Sequence, residues 1–251
     1  MVRAIMHGCN GHMGQVITGL IKDDPEIEIV AGVDPVDCRD NGYPVFPSID
    51  KCTVEADVII DFTSAKAVDG LIEKKVRVVL CSTGLSEEQL KSLEEASSQV
   101  AVLRSANMSL GINMLMKILQ DAAKILVPAG FDIEIVEKHH NRKLDAPSGT
   151  ALALADAIND GVLGGEYEYK YDRSQDHKKR EKKEIGISAV RGGTIVGDHD
   201  VIFAGTDEVI TFSHTAYSRA IFGKGAIQAA KYLAGKPAGF YHMSDVINAQ
   251  V

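Results

Sequence analysis

The chain has 251 residues, 45% of them hydrophobic and 25% charged, which is globular composition and excludes a disordered or fibrous chain. Its formal net charge of −8 disfavours general binding to a nucleic-acid backbone, and 6% aromatic residues without tryptophan weakens any base-stacking platform. The length allows one large domain or two ordinary ones.

Met1 runs straight into a short apolar segment, Val2–His7, that reads as a buried strand. This start lacks the layout of a signal peptide, and no apolar run in the chain is long enough to span a membrane, so a cytoplasmic protein is expected. Residues 8–14 form a glycine-rich turn. From 13 to 22, Met13, Ile17, Leu20 and Ile21 fall on one helical face. Ile27–Val33 reads as the next strand and ends at Asp34-Pro35. A loop with Pro44 and Pro47 follows. Further strands are expected at 58–62, 76–80 and 100–103, with helices at 65–74 and 86–97. Ser86 and Gln89 have the spacing of a capping box at the start of the second of these helices. Repeated strand–helix units predict a parallel sheet with right-handed crossovers.

Past residue 107 the texture changes. Ile112, Leu115, Met116, Leu119, Ala122, Ala123 and Leu126 keep helical spacing until Pro128 and Gly130 stop it. Residues 131–137 read as a strand that leads into a cationic loop, and 150–159 as a helix. The stretch 161–184 is polar and irregular. Three strands without intervening helices follow at 185–191, 200–204 and 208–214, then a last helix, Ala220–Leu233. The fold class is therefore α/β: a Rossmann-like parallel-sheet dinucleotide-binding domain over 1–107, to which 221–251 return, plus an α+β domain over 108–220. No internal repeat and no low-complexity tract is visible.

Chemistry concentrates in two places. Gly8, Gly11 and Gly14 follow a strand and open a helix, where glycine lets the backbone approach a pyrophosphate and the helix N-terminus favours its charge. The spacing is GxxGxxG rather than GxGxxG, and a purely structural tight turn is the competing account. Asp34 strengthens the cofactor account, because it ends the second strand 20 residues after Gly14, where a ribose-binding carboxylate belongs. Alone, Asp34 before Pro35 would be an ordinary turn opener. The loops Asp61-Phe62-Thr63 and Cys81-Ser82-Thr83-Gly84 sit at carboxyl ends of strands, where open α/β sheets bind ligands, although each alone is common turn chemistry. Ser105-Ala106-Asn107 ends the fifth strand at the junction of the two domains.

The second place runs from Glu137 to Thr150. Lys138, His139, His140, Arg142 and Lys143 put five potential cations within six residues of an acidic chain. A charge run is usually a solvated face, and Lys178–Lys183 is read so. Here Pro147-Ser148-Gly149-Thr150 opens a helix beside the cations, a combination that suits a carboxylate or phosphate. Histidine can donate a proton near neutral pH. A metal is disfavoured: neighbours on an extended chain point to opposite sides, so His139-His140 chelates poorly and no third ligand is evident. Cys9, Cys38, Cys52 and Cys81 form neither a CxxC pair nor a Cys/His metal spacing, and free thiols are expected.

These residues resemble the 4-hydroxy-tetrahydrodipicolinate reductase family, also called dihydrodipicolinate reductase, of the diaminopimelate–lysine pathway. Residues 137–152 match its E-x-H-H-x-x-K-x-D-x-P-S-G-T-A-L signature. Residues 8–14, 61–63, 105–109, 191–199 and Ser218-Arg219 with Phe222 and 223–226 also match in order, so the resemblance spans nearly the whole chain. It implies that Gly8, Cys9, Asn10, Gly11, His12 and Met13 bind the pyrophosphate and Asp34 the adenosine ribose. It implies that Cys81, Ser82, Thr83, Ser105, Ala106, Asn107 and Met108 contact the nicotinamide half. His139 would be the proton donor or acceptor and Lys143 a second donor, with His140, Ser148, Gly149 and Thr150 holding the substrate carboxylates. It further implies NADH or NADPH as cofactor, a heterocyclic dicarboxylate as substrate, and a homotetramer formed by sheets of the second domain. Reduction would follow loss of the 4-hydroxyl as water, with the interdomain cleft closing on both ligands.

Two departures stand out. The family's G-T-T-G loop reads Cys81-Ser82-Thr83-Gly84 here, and the Arg or Lys that many members carry after the ribose acid is replaced by Pro35, with Arg39 the nearest cation downstream. Asp34 beside Pro35 points to NADH as the preferred cofactor or to dual use. Two other accounts stay open on sequence alone: a sensor that binds NAD(H) without chemistry, which has no need of the 139–150 loop, and another two-domain dehydrogenase acting on a hydroxy or amino acid.

Overall fold

The structure is a computed structural model describing residues 1–36 and 38–249. It divides into two compact units, Met1–Leu110 with the chain from Ala220 onward, and Gly111–Arg219.

The first unit is built on a seven-stranded parallel sheet. Its strands are β1 (Val2–His7), β2 (Ile27–Val33), β3 (Val45–Phe46), β4 (Val58–Asp61), β5 (Arg77–Leu80), β6 (Ala101–Arg104) and β12 (Gly239–Tyr241), in the order β12-β6-β5-β4-β1-β2-β3. The central strands are apolar on both faces, as Val58, Ile59 and Ile60 of β4 show by being fully buried. Continuous apolar runs of this kind suit a sheet covered by helices on both sides. One side packs on α1 (His12–Ile21) and α6 (Ala220–Leu233), where Ile17, Ala226, Ala229, Ala230 and Leu233 join the core. The other side packs on α2 (Asp69–Glu73) and α3 (Glu87–Ser97) through Leu71 and Leu93. The capping box at Ser86 forms: the Ser86 hydroxyl accepts from the Gln89 amide at 3.2 Å and the Gln89 side chain accepts from the Ser86 amide at 3.1 Å.

Several elements differ from the reading of the sequence. The single helix expected at 65–74 is a 3-10 turn, Ala65–Ala67, followed after Val68 by the short α2. The loop between Pro44 and Pro47 contains the edge strand β3, a position that tolerates flanking prolines. Beyond α6 the chain adds β12 and α7 (Met243–Asn248), whose buried Met243 and Val246 close the first core.

The second unit carries a five-stranded mixed sheet with order β11-β10-β7-β9-β8, from β7 (Asp132–His139), β8 (Glu168–Lys170), β9 (Glu184–Arg191), β10 (Gly197–Ala204) and β11 (Val209–Ala216). β7 is parallel to β9 and antiparallel to β10, and β10 is antiparallel to β11. β7 alternates strictly: Ile133, Ile135, Glu137 and His139 are buried, while Asp132, Glu134, Val136 and Lys138 are less so. The buried face packs on α4 (Leu110–Leu126) and α5 (Gly149–Val162) through Leu115, Leu119, Leu154, Ile158 and Phe203. The Phe203 and Phe212 rings meet edge-on at 6.0 Å. The stretch expected to be irregular holds β8, and its cationic run is not uniformly solvated. Lys178 and Lys183 are exposed, but the Arg180 guanidinium pairs with Asp132 at 2.9 Å and Glu134 at 3.0 Å and donates to the Ile133 carbonyl at 3.0 Å. Acidic partners on β7 overrule the charge pattern there.

Candidate active site

In the first unit the glycine turn joins β1 to α1. A Cβ on Gly14 would stand 2.2 Å from the Gly8 carbonyl oxygen and 2.7 Å from the Cys9 Cα, so only glycine lets the turn fold back on the helix. The turn spends most of its own amides internally. Gly8 and Cys9 donate to the Val33 carbonyl at 2.8 and 3.4 Å, Gly11 to the Gly8 carbonyl at 3.1 Å, and Asn10 to the Asp34 carboxylate at 3.1 Å. His12 and Met13 occupy the first helical positions, where amides have no partner within the helix, and no side chain caps α1. Of the residues expected at the pyrophosphate, the backbone of these two best fits an anion. Cys9 is fully buried in the core, so its side chain is no ligand contact.

Asp34 follows β2 and faces the same turn. Its second carboxylate oxygen accepts from the Val36 amide at 3.1 Å. The Asn10 side chain donates to the Val36 carbonyl and accepts from Asn41 at 2.9 Å, fixing the loop after β2 against the turn. A tight glycine turn, an uncapped helix start and an acid at the end of the neighbouring strand together fit a dinucleotide.

The loops after β4 and β5 are bound together by Asp61, which is fully buried. It accepts from the Thr63 hydroxyl at 2.7 Å and from the Ser82 hydroxyl at 2.5 Å, and His7 Nδ1 lies 2.8 Å away. The Ser82 hydroxyl, expected at the nicotinamide, is therefore taken up by Asp61 and by the Thr63 amide at 3.1 Å. Ser105 accepts from the Met243 amide at 2.7 Å and anchors α7, and Asn107 accepts from the Ser109 amide at 2.8 Å. The Met108 side chain is buried in the core. Ala106 and Thr83 are exposed and Cys81 is half-buried.

In the second unit His139 lies on β7 rather than in the loop beyond it, buried at 9% exposure. Its Nδ1 is 2.6 Å from Glu137, two residues earlier on the same face of the strand. Glu137 is fully buried and serves four donors: His139 Nδ1, both terminal nitrogens of Arg191 at 2.7 and 2.8 Å, and the Ser148 amide at 2.9 Å. Burial alone would raise the Glu137 carboxyl, but Arg191, His139 and Ser148 outweigh it and hold it below the usual carboxylate range. Nε2 of His139 faces the backbone of Gly197, where a Cβ would stand 3.0 Å from it.

Ser148 caps α5, accepting from the Ala151 amide at 3.1 Å, and its hydroxyl is 3.0 Å from His199 Nε2. Gly149 is exposed and Thr150 half-exposed at the first turn of this 14-residue helix. His140 is half-buried, with its Nδ1 enclosed and unmatched by any hydrogen-bond partner among the described residues. Lys143 is ion-paired with Asp145 at 2.8 Å. The fold thus gathers His139, Ser148 and the start of α5 around Glu137. It also adds Glu137, Arg191 and His199, which reading the sequence left without a role. The period-2 alternation of β7 would have put Glu137 beside His139, whereas Arg191 and His199 arrive only through strand pairing, opposite His139 and Glu137 respectively.

Residues 2–108 match the family model for the N-terminus of dihydrodipicolinate reductase, and 111–247 the model for its C-terminus. A relative from Caldanaerobacter subterraneus named 4-hydroxy-tetrahydrodipicolinate reductase is 54% identical, over 98% of each chain. One of the same name from Clostridium tetani is 51% identical over 99% of this chain and 98% of its own. Among solved structures, a dipicolinate-bound dihydrodipicolinate reductase from Paenisporosarcina superposes with a TM-score of 0.79 at 24% identity, covering 96% of this chain and 97% of that one.

Proposed function

The chain belongs to the dihydrodipicolinate reductase family, and we propose that it reduces 4-hydroxy-tetrahydrodipicolinate to tetrahydrodipicolinate with a reduced nicotinamide dinucleotide, in diaminopimelate and lysine biosynthesis. The observation that carries this reading is the buried Glu137–His139 pair set beside the open first turn of α5. It offers an oriented proton donor next to an anion site.

In this reading the first unit binds the dinucleotide. The amides of His12 and Met13 receive the pyrophosphate, and Asp34 accepts from the ribose hydroxyls. Gly8, Cys9, Asn10 and Gly11 shape the turn. Thr83, Ala106 and the backbone at Cys81, Ser82, Ser105, Asn107 and Met108 line the nicotinamide end, with the Asp61 hydrogen bonds fixing the 63 and 82 loops. When bound, the reduced nicotinamide supplies a hydride to ring C4 of the substrate after the 4-hydroxyl has left as water.

The second unit binds the dicarboxylate. Gly149 and Thr150 at the start of α5, capped by Ser148, hold one carboxylate, and His140 and Lys143 add positive or donor groups. Lys143 exchanges Asp145 for the substrate and serves as second proton donor. His139 delivers a proton to ring C3 from Nε2, because Nδ1 is committed to Glu137. The carboxylate of Glu137 fixes the ring through Nδ1 and leaves Nε2 for the substrate. No metal takes part.

NADH is the preferred cofactor, or both dinucleotides are used, since Asp34 repels a 2′-phosphate and Pro35 supplies no donors to one. The chain works in the cytoplasm as a homotetramer. A coupled assay tests the whole reading: supplied with the product of the synthase that makes the substrate, the protein should lower NADH absorbance at 340 nm. No decrease, with synthase turnover verified, would reject it.

A further inference from the structure

His199 has no part in the chemistry above, yet it is 4% exposed and sits at the centre of the site. It lies on β10 directly across from Glu137 of β7 on one side and His214 of β11 on the other. Its ring meets the His139 ring edge-on at 5.2 Å. Its Nε2 is 3.0 Å from the Ser148 hydroxyl, while its Nδ1 is buried without a partner among the described residues. All of its bonding capacity is thus directed at one atom, the Oγ that caps α5.

We propose that His199 is a positioning residue for the substrate: through Nε2 it locks the Ser148 hydroxyl and, with it, the first turn of α5 in the geometry that receives a carboxylate. Ser148 is held by three groups from three elements. Glu137 on β7 takes its amide, Ala151 in α5 donates to its hydroxyl, and His199 on β10 fixes that hydroxyl from the third side. Without His199 the hydroxyl keeps only the Ala151 amide, and the cap loses a partner that also ties α5 to the sheet. Burial, and then the charge of nearby His139, push the His199 imidazole down to about 4, so the ring is neutral at neutral pH and adds no charge of its own to the site. Its contribution is geometric, which sets it apart from Lys143 with its ammonium charge.

The inference rests on the proposed role of α5 in holding the substrate, and amide substitutions separate it from that role. A glutamine amide reaches the position of Nε2, whereas an asparagine amide reaches that of Nδ1. The probe is pyridine-2,6-dicarboxylate, titrated calorimetrically into the NADH-loaded protein. His199→Gln should keep its affinity within about threefold, and His199→Asn should weaken it by about tenfold, the size of one lost hydrogen bond. Ser148→Ala should weaken it by a similar factor, and adding His199→Asn to Ser148→Ala should cost nothing more. NADH affinity should stay unchanged in every variant. A role in filling space would affect Gln and Asn alike. Equal affinities for the two amide variants, or full affinity in Ser148→Ala, would overturn the inference, and Ser148→Ala decides it even if His199→Asn does not fold. If the wild-type protein neither binds the probe nor oxidises NADH, the substrate role of α5 fails first and the inference falls with it.

Discussion

Replacing Glu137 by glutamine separates its orienting role from simple space filling. One carboxylate oxygen serves Arg191 Nη2 and the Ser148 amide, and the other serves His139 Nδ1 and Arg191 Nη1. Glutamine keeps one acceptor oxygen and presents an NH2 group in place of the other. Turned one way, the NH2 group faces two donors, Arg191 Nη2 and the Ser148 amide; turned the other way, it faces Arg191 Nη1 and forces His139 into the tautomer that accepts at Nδ1. At roughly 1–3 kcal/mol for each unsatisfied buried group, the stability loss is on the order of 3 kcal/mol. That lies at the low end for breaking a buried ion pair, as expected when the partner, Arg191, is still 19% exposed. For catalysis, the lost charge-assisted bond to His139 corresponds to about 1.5–3 kcal/mol, or roughly 10- to 100-fold in kcat. The assay is steady-state NADH oxidation with saturating substrate, alongside a urea titration and an NADH binding curve. The dinucleotide constant should not move, because its groups lie in the first unit. A folded Glu137→Gln protein with kcat within twofold of wild type would refute the orienting role.

Four further outcomes are expected. His139→Gln should lower kcat by about 10²-fold or more, the usual share of general acid catalysis, and leave NADH affinity within twofold; near wild-type turnover would remove His139 from the mechanism. Lys143→Ala should weaken inhibition by pyridine-2,6-dicarboxylate by about tenfold, a value discounted for its partial exposure, and unchanged inhibition would leave Lys143 as the partner of Asp145 alone. With both cofactors at one ionic strength, kcat/KM should favour NADH or be comparable, since like charges about 4 Å apart in a partly exposed site repel by a few kcal/mol before screening; a tenfold NADPH preference would contradict the role given to Asp34. On acidification, the unfolded chain takes a proton on His199 near pH 6.5 while the folded protein waits until about 4, so stability falls between those values. The His199 share is on the order of 3 kcal/mol, and His199→Gln should flatten the pH dependence in that window in urea titrations; an unaltered slope would mean that His199 is not held neutral.

The sequence made the long elements legible because their periodicity is strong. β1, β2 and α6 end where the apolar pattern ends, and the capping box marks α3. What it hid is short or depends on pairing. β3 and β12 have two and three residues, too few for any period, and exist only as additions to the edges of a sheet already formed. The 139–150 region was visible because its residue types are unusual together, but its boundary was misplaced: His139 belongs to the strand, and this puts it on the same face as Glu137. Arg191 and His199 lie more than 50 residues from Glu137 in the chain, and only the β9–β7–β10 register brings all three together. Likewise Arg180 looked like one more solvated cation until Asp132 and Glu134 of β7 appeared beside it.

The central claim, that this chain transfers hydride from a nicotinamide to the ring of its substrate, is tested most directly by isotope transfer. NADH deuterated at the transferring C4 position is mixed with the protein and freshly made synthase product, and the tetrahydrodipicolinate formed is analysed by mass and NMR spectroscopy. The account predicts one deuterium per molecule, located at ring C4, with the proton at C3 drawn from solvent. NADH consumption that leaves the product unlabelled, or no consumption at all, would contradict it.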